Sequence, residues 1–322
     1  MFNYREPCRD LVDSLPQRTK NVISRRFGLF DRKKETLESI GRSYGITRER
    51  VRQIEKDGVK QSRKASEKYS DVFAYFDKIL QEFGGLKRED LFLDLLTENE
   101  EDRNYVLFLL DIHSSIHRIP ENKEVHSLWA NDQNAFLRAK ELISEVREEL
   151  NRKKQLLSAQ ELSAKKNLPQ KTLVSYLEIS KKVVQNEEGS FGLIRWPEIN
   201  PRGIKDKAYL VLKRAGKPMH FKDIAAALGD EANPQTTHNE LIKDSSFVLV
   251  GRGVYALAEW GYTPGEVKEI IKTILKKEGA LPKEEIIEKV SKQRIVKKNT
   301  VIQNLSNKKY FVRTPDGKYT IA

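Results

Sequence analysis

The stretch Thr36–Lys60, TLESIGRSYGITRERVRQIEKDGVK, restricts the fold more than any other part of the chain. Thr36 is a favourable helix N-cap, and Leu37 and Ile40 begin an apolar stripe at helical spacing. Gly45 can adopt the left-handed conformation that closes a helix, Ile46 returns to the core, and Thr47 is placed to cap a second helix. That helix turns Val51 and Ile54 inward and leaves Arg48, Glu49, Arg50, Arg52, Gln53 and Lys56 on its open faces. Two capped helices about a glycine turn predict a helix-turn-helix. The exposed side chains are those that read base edges in a major groove: Arg suits guanine, Gln suits adenine, and Glu accepts from the cytosine amino group. A solvated, charge-rich surface helix is the usual alternative for such a run, and the capped helix and turn before it argue against that.

Leu15 to about Lys64 carries LPQRTKNVISRRFGL, then TLESIG, then GITRERVRQIEK, and here the chain resembles region 4 of bacterial primary sigma factors. In that family the module reads the −35 promoter element and touches RNA polymerase. The resemblance implies that Arg48, Glu49 and Gln53 read bases. It likewise implies phosphate or scaffold contacts for Arg18, Arg25, Thr36, Arg50, Arg52, Lys56, Lys60 and Arg63. The chain departs from the family after QIE, where a basic residue and Ala-Leu are usual and Asp57, Gly58 and Val59 stand instead. Asp57 puts a negative charge where a phosphate contact is expected, and Gly58 costs helix stability on the order of 1 kcal/mol.

Charge supports a polyanionic partner through its distribution. Residues 18–64 carry 15 Lys and Arg against 6 Asp and Glu, or +9, and residues 263–322 carry 14 against 7, or +7. Between them, residues 65–132 carry 7 against 15, or −8. A compact basic block favours DNA through counterion release, whereas the acidic block would be repelled by it. MFNYREPCRD is too polar for a secretory signal, and no apolar run approaches the ~18 residues of a membrane span. The lone Cys8 forms no internal disulfide, so a bacterial cytoplasmic, nucleoid-associated location is expected.

Before the reader helix, Asn3–Phe27 is expected to be helical with a break at Pro16. Beyond Lys64 a weak repeat recurs with a period near 60 residues. The clearest copy closes the chain: Val267–Lys277, KEEIIEKVS and NTVIQNLSNKK as helices, then strands Tyr310–Arg313 and Lys318–Ile321 about Pro315-Asp316-Gly317. Three helices and a hairpin is the winged-helix order. The third copy, KAYLVLKRAGKPMHFKDIAAAL followed by GRGVYALAEWG, also resembles the HARE-HTH winged-helix family. That family includes the amino-terminal domain of the RNA polymerase delta subunit, so attachment to polymerase or to DNA-bound complexes is implied. The expected fold class is therefore mainly α with small β-hairpins, a helix-turn-helix module followed by tandem winged-helix domains. The expected domains are 1–66, an acidic 67–132, 133–200, a HARE-HTH-like 201–262 and a basic 263–322.

In the last domain Lys297, Lys298, Asn299, Lys308 and Lys309, with Lys292, Arg294 and Gln303 nearby, suggest a second DNA contact. His113, His117 and His126 are a poor zinc set, no phosphate loop or nucleophile elbow occurs, and neither a cofactor nor enzymatic activity is expected. Only 35 residues precede the helix-turn-helix, so the chain is not expected to be a complete sigma factor. The expected function is a transcription regulator or accessory initiation factor that recognises a −35-like element in double-stranded DNA and contacts RNA polymerase core. The alternative is a polymerase- or nucleoid-associated architectural protein with little sequence preference.

Overall fold

The computed structural model describes residues 2–229 and 232–322. They form two compact units, one running through Arg195 and the other from Trp196.

The first unit opens with α1 (Arg5–Asp13), α2 (Gln17–Phe27), α3 (Leu37–Tyr44) and α4 (Arg48–Lys64). Pro16 has the extended backbone that separates α1 from α2, as the sequence leads one to expect. Thr36 caps α3 by accepting from the Ser39 amide, Gly45 closes it in the left-handed region, and Thr47 caps α4 by accepting from the Arg50 amide. Gly41 permits the tight turn, since a Cβ there would lie 2.7 Å from the Ile46 carbonyl oxygen.

After α4 one topology occurs four times: helix, short strand, helix, helix, strand, strand, with the last strand in the middle of the sheet. The first repeat is α5 (Ser70–Glu82), β1 (Leu86–Arg88), α6 (Glu89–Leu96), α7 (Arg103–Ile112), β2 (His117–Ile119) and β3 (Leu128–Ala130), with strand order β1-β3-β2. The second is α8 (Gln133–Lys153), β4 (Leu157–Ser158), α9 (Ala159–Lys166), α10 (Gln170–Glu178), β5 (Val183–Gln185) and β6 (Ser190–Leu193), in order β4-β6-β5. In the second unit, α11 (Gly203–Ala215), β7 (Met219–His220), α12 (Phe221–Leu228), α13 (Pro234–Lys243), β8 (Phe247–Gly251) and β9 (Val254–Leu257) give β7-β9-β8. The fourth repeat comprises α14 (Val267–Glu278), α15 (Lys283–Gln293), α16 (Lys298–Leu305), β10 (Phe311–Arg313) and β11 (Tyr319–Ile321). There a single bridge from Leu281 to Tyr319 takes the place of the first strand.

An aromatic residue sits at the centre of each sheet and fixes the repeat. Trp129 pairs with Lys87 and Arg118, Phe191 with Leu157 and Gln185, Tyr255 with Met219 and Leu249, and Tyr319 with Leu281 and Arg313. The four positions are 62, 64 and 64 residues apart. Each side chain packs into its repeat's interior, which is why period-2 alternation can specify the face with strands this short.

Three local expectations are corrected. The helix expected through Lys309 ends at Leu305, so Lys308 and Lys309 lie in the turn after α16. Lys87–Arg88, read as the start of a helix, belong to β1. The strand expected from Val125 begins at Leu128, and Val125 instead bridges to Ser180.

The hydrophobic core of the first unit does not break at residue 66. Tyr4, Leu11, Val12, Ile23 and Phe27 share one cluster with Phe76, Phe92, Phe108 and Trp129. The first and second repeats are also joined. Ser175 Oγ donates to the Leu86 carbonyl at 2.7 Å, Tyr176 Oη donates to the Gly84 carbonyl at 2.9 Å, and Lys87 pairs with Glu178 at 2.6 Å.

Candidate nucleic-acid interface

Helix α4 presents its first turns to solvent: Arg48, Glu49, Arg50, Arg52, Gln53 and Lys56 are exposed, while Val51 is fully buried and Ile54 is half-buried. The apolar side rests on Val22 of α2 and Ile40 of α3, with Leu37, Tyr44 and Ile46 around them. The helix is thus braced from behind by residues at the spacing the sequence provides.

The outer face carries its own surface pairs. Arg52 donates to Glu49, with Nη2 2.6 Å from Oε1 and Nε 2.9 Å from Oε2, and this lowers the Glu49 carboxyl below its ordinary range. Arg50 Nη1 donates to Gln53 Oε1 at 3.1 Å. Such exposed pairs are worth little, so exchanging them for base or phosphate partners costs little. Arg48, Lys56 and Lys60 are exposed and form no ion pair among the described residues. Asp57 is exposed on the same helix.

Other residues singled out from the sequence brace the reader helix. Arg25 grips Glu35 through Nε–Oε1 at 2.6 Å and Nη2–Oε2 at 2.7 Å, and donates to Ser43 Oγ at 2.7 Å. These contacts, with the Ser39 hydroxyl, push the Glu35 carboxyl down to about 2. The Arg18 guanidinium lies 5.2 Å from the centre of the Tyr44 ring, whose hydroxyl donates to Asn21 at 2.9 Å. Thr36 is engaged as a cap. Arg63 points to α7, donating from Nε to the Ile112 carbonyl at 2.6 Å and from Nη2 to the Asp111 carbonyl at 3.0 Å.

Sequence reasoning missed Arg26, Glu35, Tyr44 and Glu55 as supports. Arg26 bridges from α2 to Glu55 of α4 at 3.1 Å. The signal was available only as unexplained charge on a helix read as solvated. Gly58 was read solely as a weak point of α4. It is buried where α4 crosses α2, and a Cβ there would lie 2.8 Å from Thr19 Cγ2 and 3.0 Å from Ile23 Cγ1.

In the fourth repeat Lys297, Lys298, Asn299, Gln303, Lys308 and Lys309 are exposed. Arg294 is not available to a phosphate: it is 5% exposed and donates to the Thr263 and Gly265 carbonyls. Lys292 pairs with Glu288 at 2.8 Å. His113 lies in the core, with Nε2 3.2 Å from Asp77 and Nδ1 accepting from the Ser115 amide, so it is separated from the exposed His117. No group of three metal-ligating side chains occurs among the described residues, and none of their helices is long and apolar enough to cross a membrane.

With this geometry in hand, the match to known proteins is direct. Residues 11–64 match the family described as Sigma-70, region 4. Residues 11–64 are a sigma-70 region 4 domain. This domain is 45% identical over 62 residues to the RNA polymerase sigma factor SigA of Listeria monocytogenes and to that of Listeria innocua. The SigA of a Bacillus species is 44% identical over 62 residues. The shared stretch is 19% of this chain and covers only about a sixth of each relative, 17%, 17% and 16% respectively. In sigma factors region 4 is a DNA-binding helix-turn-helix that contacts −35 elements. The first turns of α4, with Arg48, Glu49 and Gln53, form the exposed face of its second helix.

Proposed function

We propose that this protein is a DNA-binding transcription regulator or accessory initiation factor. Its region 4 domain recognises a −35-like element in duplex DNA and contacts RNA polymerase core. Arg48, Glu49 and Gln53 read bases from α4, and Lys56 and Lys60 hold phosphates. Arg18, Arg25 and Arg63 act from behind, by fixing α4 on α2, α3 and α7. We assign the four repeats to the winged-helix class, the third of them to the HARE-HTH type, with roles in contacting polymerase or DNA. The protein works in the cytoplasm, binds no cofactor and catalyses no reaction in this reading.

The observation that carries it is the open first face of α4 on a braced helix within a stretch 45% identical to SigA. The second reading, an architectural protein with little sequence preference, is favoured by exposed Asp57 beside the phosphate-facing lysines and by the basic fourth repeat.

Selection of bound duplexes from a random pool by the intact protein, at near-physiological salt, separates the two. An enriched motif like the −35 hexamer, lost with Arg48→Ala and Gln53→Ala, supports promoter reading. Binding without a motif that collapses as salt rises supports the architectural reading.

A further inference from the structure

The four repeats form an internal comparison, because each places its third helix at the equivalent point of one topology. In the first repeat α7 is buried along most of its length, from Tyr105 to Ile112, against α1, α2 and α4. In the second, Leu173, Ser175, Tyr176 and Leu177 of α10 are buried and the helix packs on β1. Neither third helix can enter a groove. In the third repeat α13 has an open face, but its side chains are neutral apart from Glu240 and Lys243, which pair at 3.4 Å.

The fourth repeat differs in both respects. Lys297 and Lys298 open α16 and Lys308 and Lys309 follow it, all four exposed and none in an ion pair among the described residues. A further cation reaches the end of the helix from α14: Lys272 Nζ lies 4.3 Å from the centre of the Tyr310 ring, with Lys309 at 5.8 Å from the same ring. A tyrosine face attracts ammonium groups, so they gather here without a carboxylate between them. The acids of this repeat are engaged elsewhere, Glu285 and Glu278 with Lys289, and Glu288 with Lys292. Eight residues of helix rise about 12 Å, so the two lysine groups are separated on the scale of a major groove, about 12 Å wide.

We propose that the fourth repeat is a second nucleic-acid contact, which grips the phosphate backbone of duplex DNA through the lysines at both ends of α16 and does not read sequence. The first three repeats serve as protein-packing units. The inference rests on the reading of this chain as a DNA binder. It adds a contact that the region 4 domain does not contain. Lysine is suited to the task because it acts as a point charge on phosphate without the planar fork that reads guanine.

The test uses the full chain and two duplexes, one carrying the selected motif and one scrambled, titrated across a range of salt. The variant Lys297→Gln, Lys298→Gln, Lys308→Gln, Lys309→Gln is compared with Lys217→Gln, Lys222→Gln of the third repeat, and with Arg48→Ala, Gln53→Ala. The four-lysine variant is expected to lose about 10- to 100-fold in affinity on both duplexes. Its log–log salt slope should fall by about 3, near 0.9 for each phosphate released. The third-repeat variant should match the parent, and the α4 variant should lose mainly the difference between duplexes. An unchanged slope in the four-lysine variant, or a loss confined to the motif duplex, overturns the proposal while leaving α4 reading intact. Preferential loss of single-stranded RNA binding overturns the ligand class. If neither α4 nor the lysines affect binding, both readings fall together.

Discussion

Gly58 of α4 and Ile23 of α2 approach so closely that a β-carbon on the glycine would stand 3.0 Å from Ile23 Cγ1. The crossing explains a residue that helix propensity disfavours. In an isolated helix Gly58→Ala would gain about 1 kcal/mol. Here the added methyl also meets Thr19 Cγ2 at 2.8 Å, and overpacking of this kind costs about 1–3 kcal/mol. Gly58→Ala is therefore expected to lower stability by about 1 kcal/mol in urea unfolding. A rise in stability would mean that α4 lifts from α2 without loss.

The Arg25–Glu35 clamp should be visible in the acid limb of stability. Glu35 is held at about 2, below its ordinary 4.5, chiefly by Arg25 and next by Ser39. A lowered carboxyl stabilises the folded state fully above 4.5, and that contribution disappears as pH falls from 4.5 towards 2. Glu35→Gln should flatten this part of the profile and cost on the order of 1 kcal/mol at pH 7 after screening. Parallel parent and variant profiles below pH 4.5 would dismiss the clamp.

Arg63 offers a clean separation of scaffold from phosphate contact. Its hydrogen bonds to the Asp111 and Ile112 carbonyls tie α4 to α7. Arg63→Met should cost about 1–2 kcal/mol of stability while leaving the salt slope of DNA binding unchanged. A slope reduced by about one would instead place Arg63 on a phosphate.

Between the first two repeats, Lys87 is 7% exposed and Glu178 is 19% exposed, at 2.6 Å. Removing one partner strands the other away from water. Lys87→Met is expected to cost about 3 kcal/mol, and Lys87→Met with Glu178→Met to recover most of it. Additive losses in this double-mutant cycle would show that the pair is not coupled.

Two central aromatics carry a polar atom without a partner: the Trp129 indole nitrogen and the Tyr255 hydroxyl find no hydrogen bond among the described residues. The second repeat places Phe191 at the same point. Tyr255→Phe should accordingly be neutral or raise stability by up to about 1 kcal/mol in thermal unfolding. A clear loss would reveal a partner for that hydroxyl.

The helix-turn-helix was legible because its determinants are local: Thr36, Gly45 and Thr47 act within a few residues of where they stand. The helices and hairpins of the repeats were legible for the same reason. The first strand of each repeat was not, since Met219–His220 or Leu157–Ser158 is too short to show alternation. Nor could spacing reveal partners such as Arg63 with Ile112 or Ser175 with Leu86, whose pairing depends on tertiary packing across 49 and 89 residues. The candidate site was read as a set of outward charges, but Arg18 and Arg25 turn to Tyr44 and Glu35.

The shared core of Tyr4, Ile23, Phe108 and Trp129 also sets a schedule for biosynthesis. Translation adds roughly 5–20 residues per second, so a ribosome needs on the order of ten seconds to reach Trp129. Until then α1 and α2 lack the surface that completes their packing, and α4 lacks its anchor on α7. A nascent or prematurely released chain therefore carries the reader's letters without its rigid grip, and competes poorly for the sites the finished protein occupies.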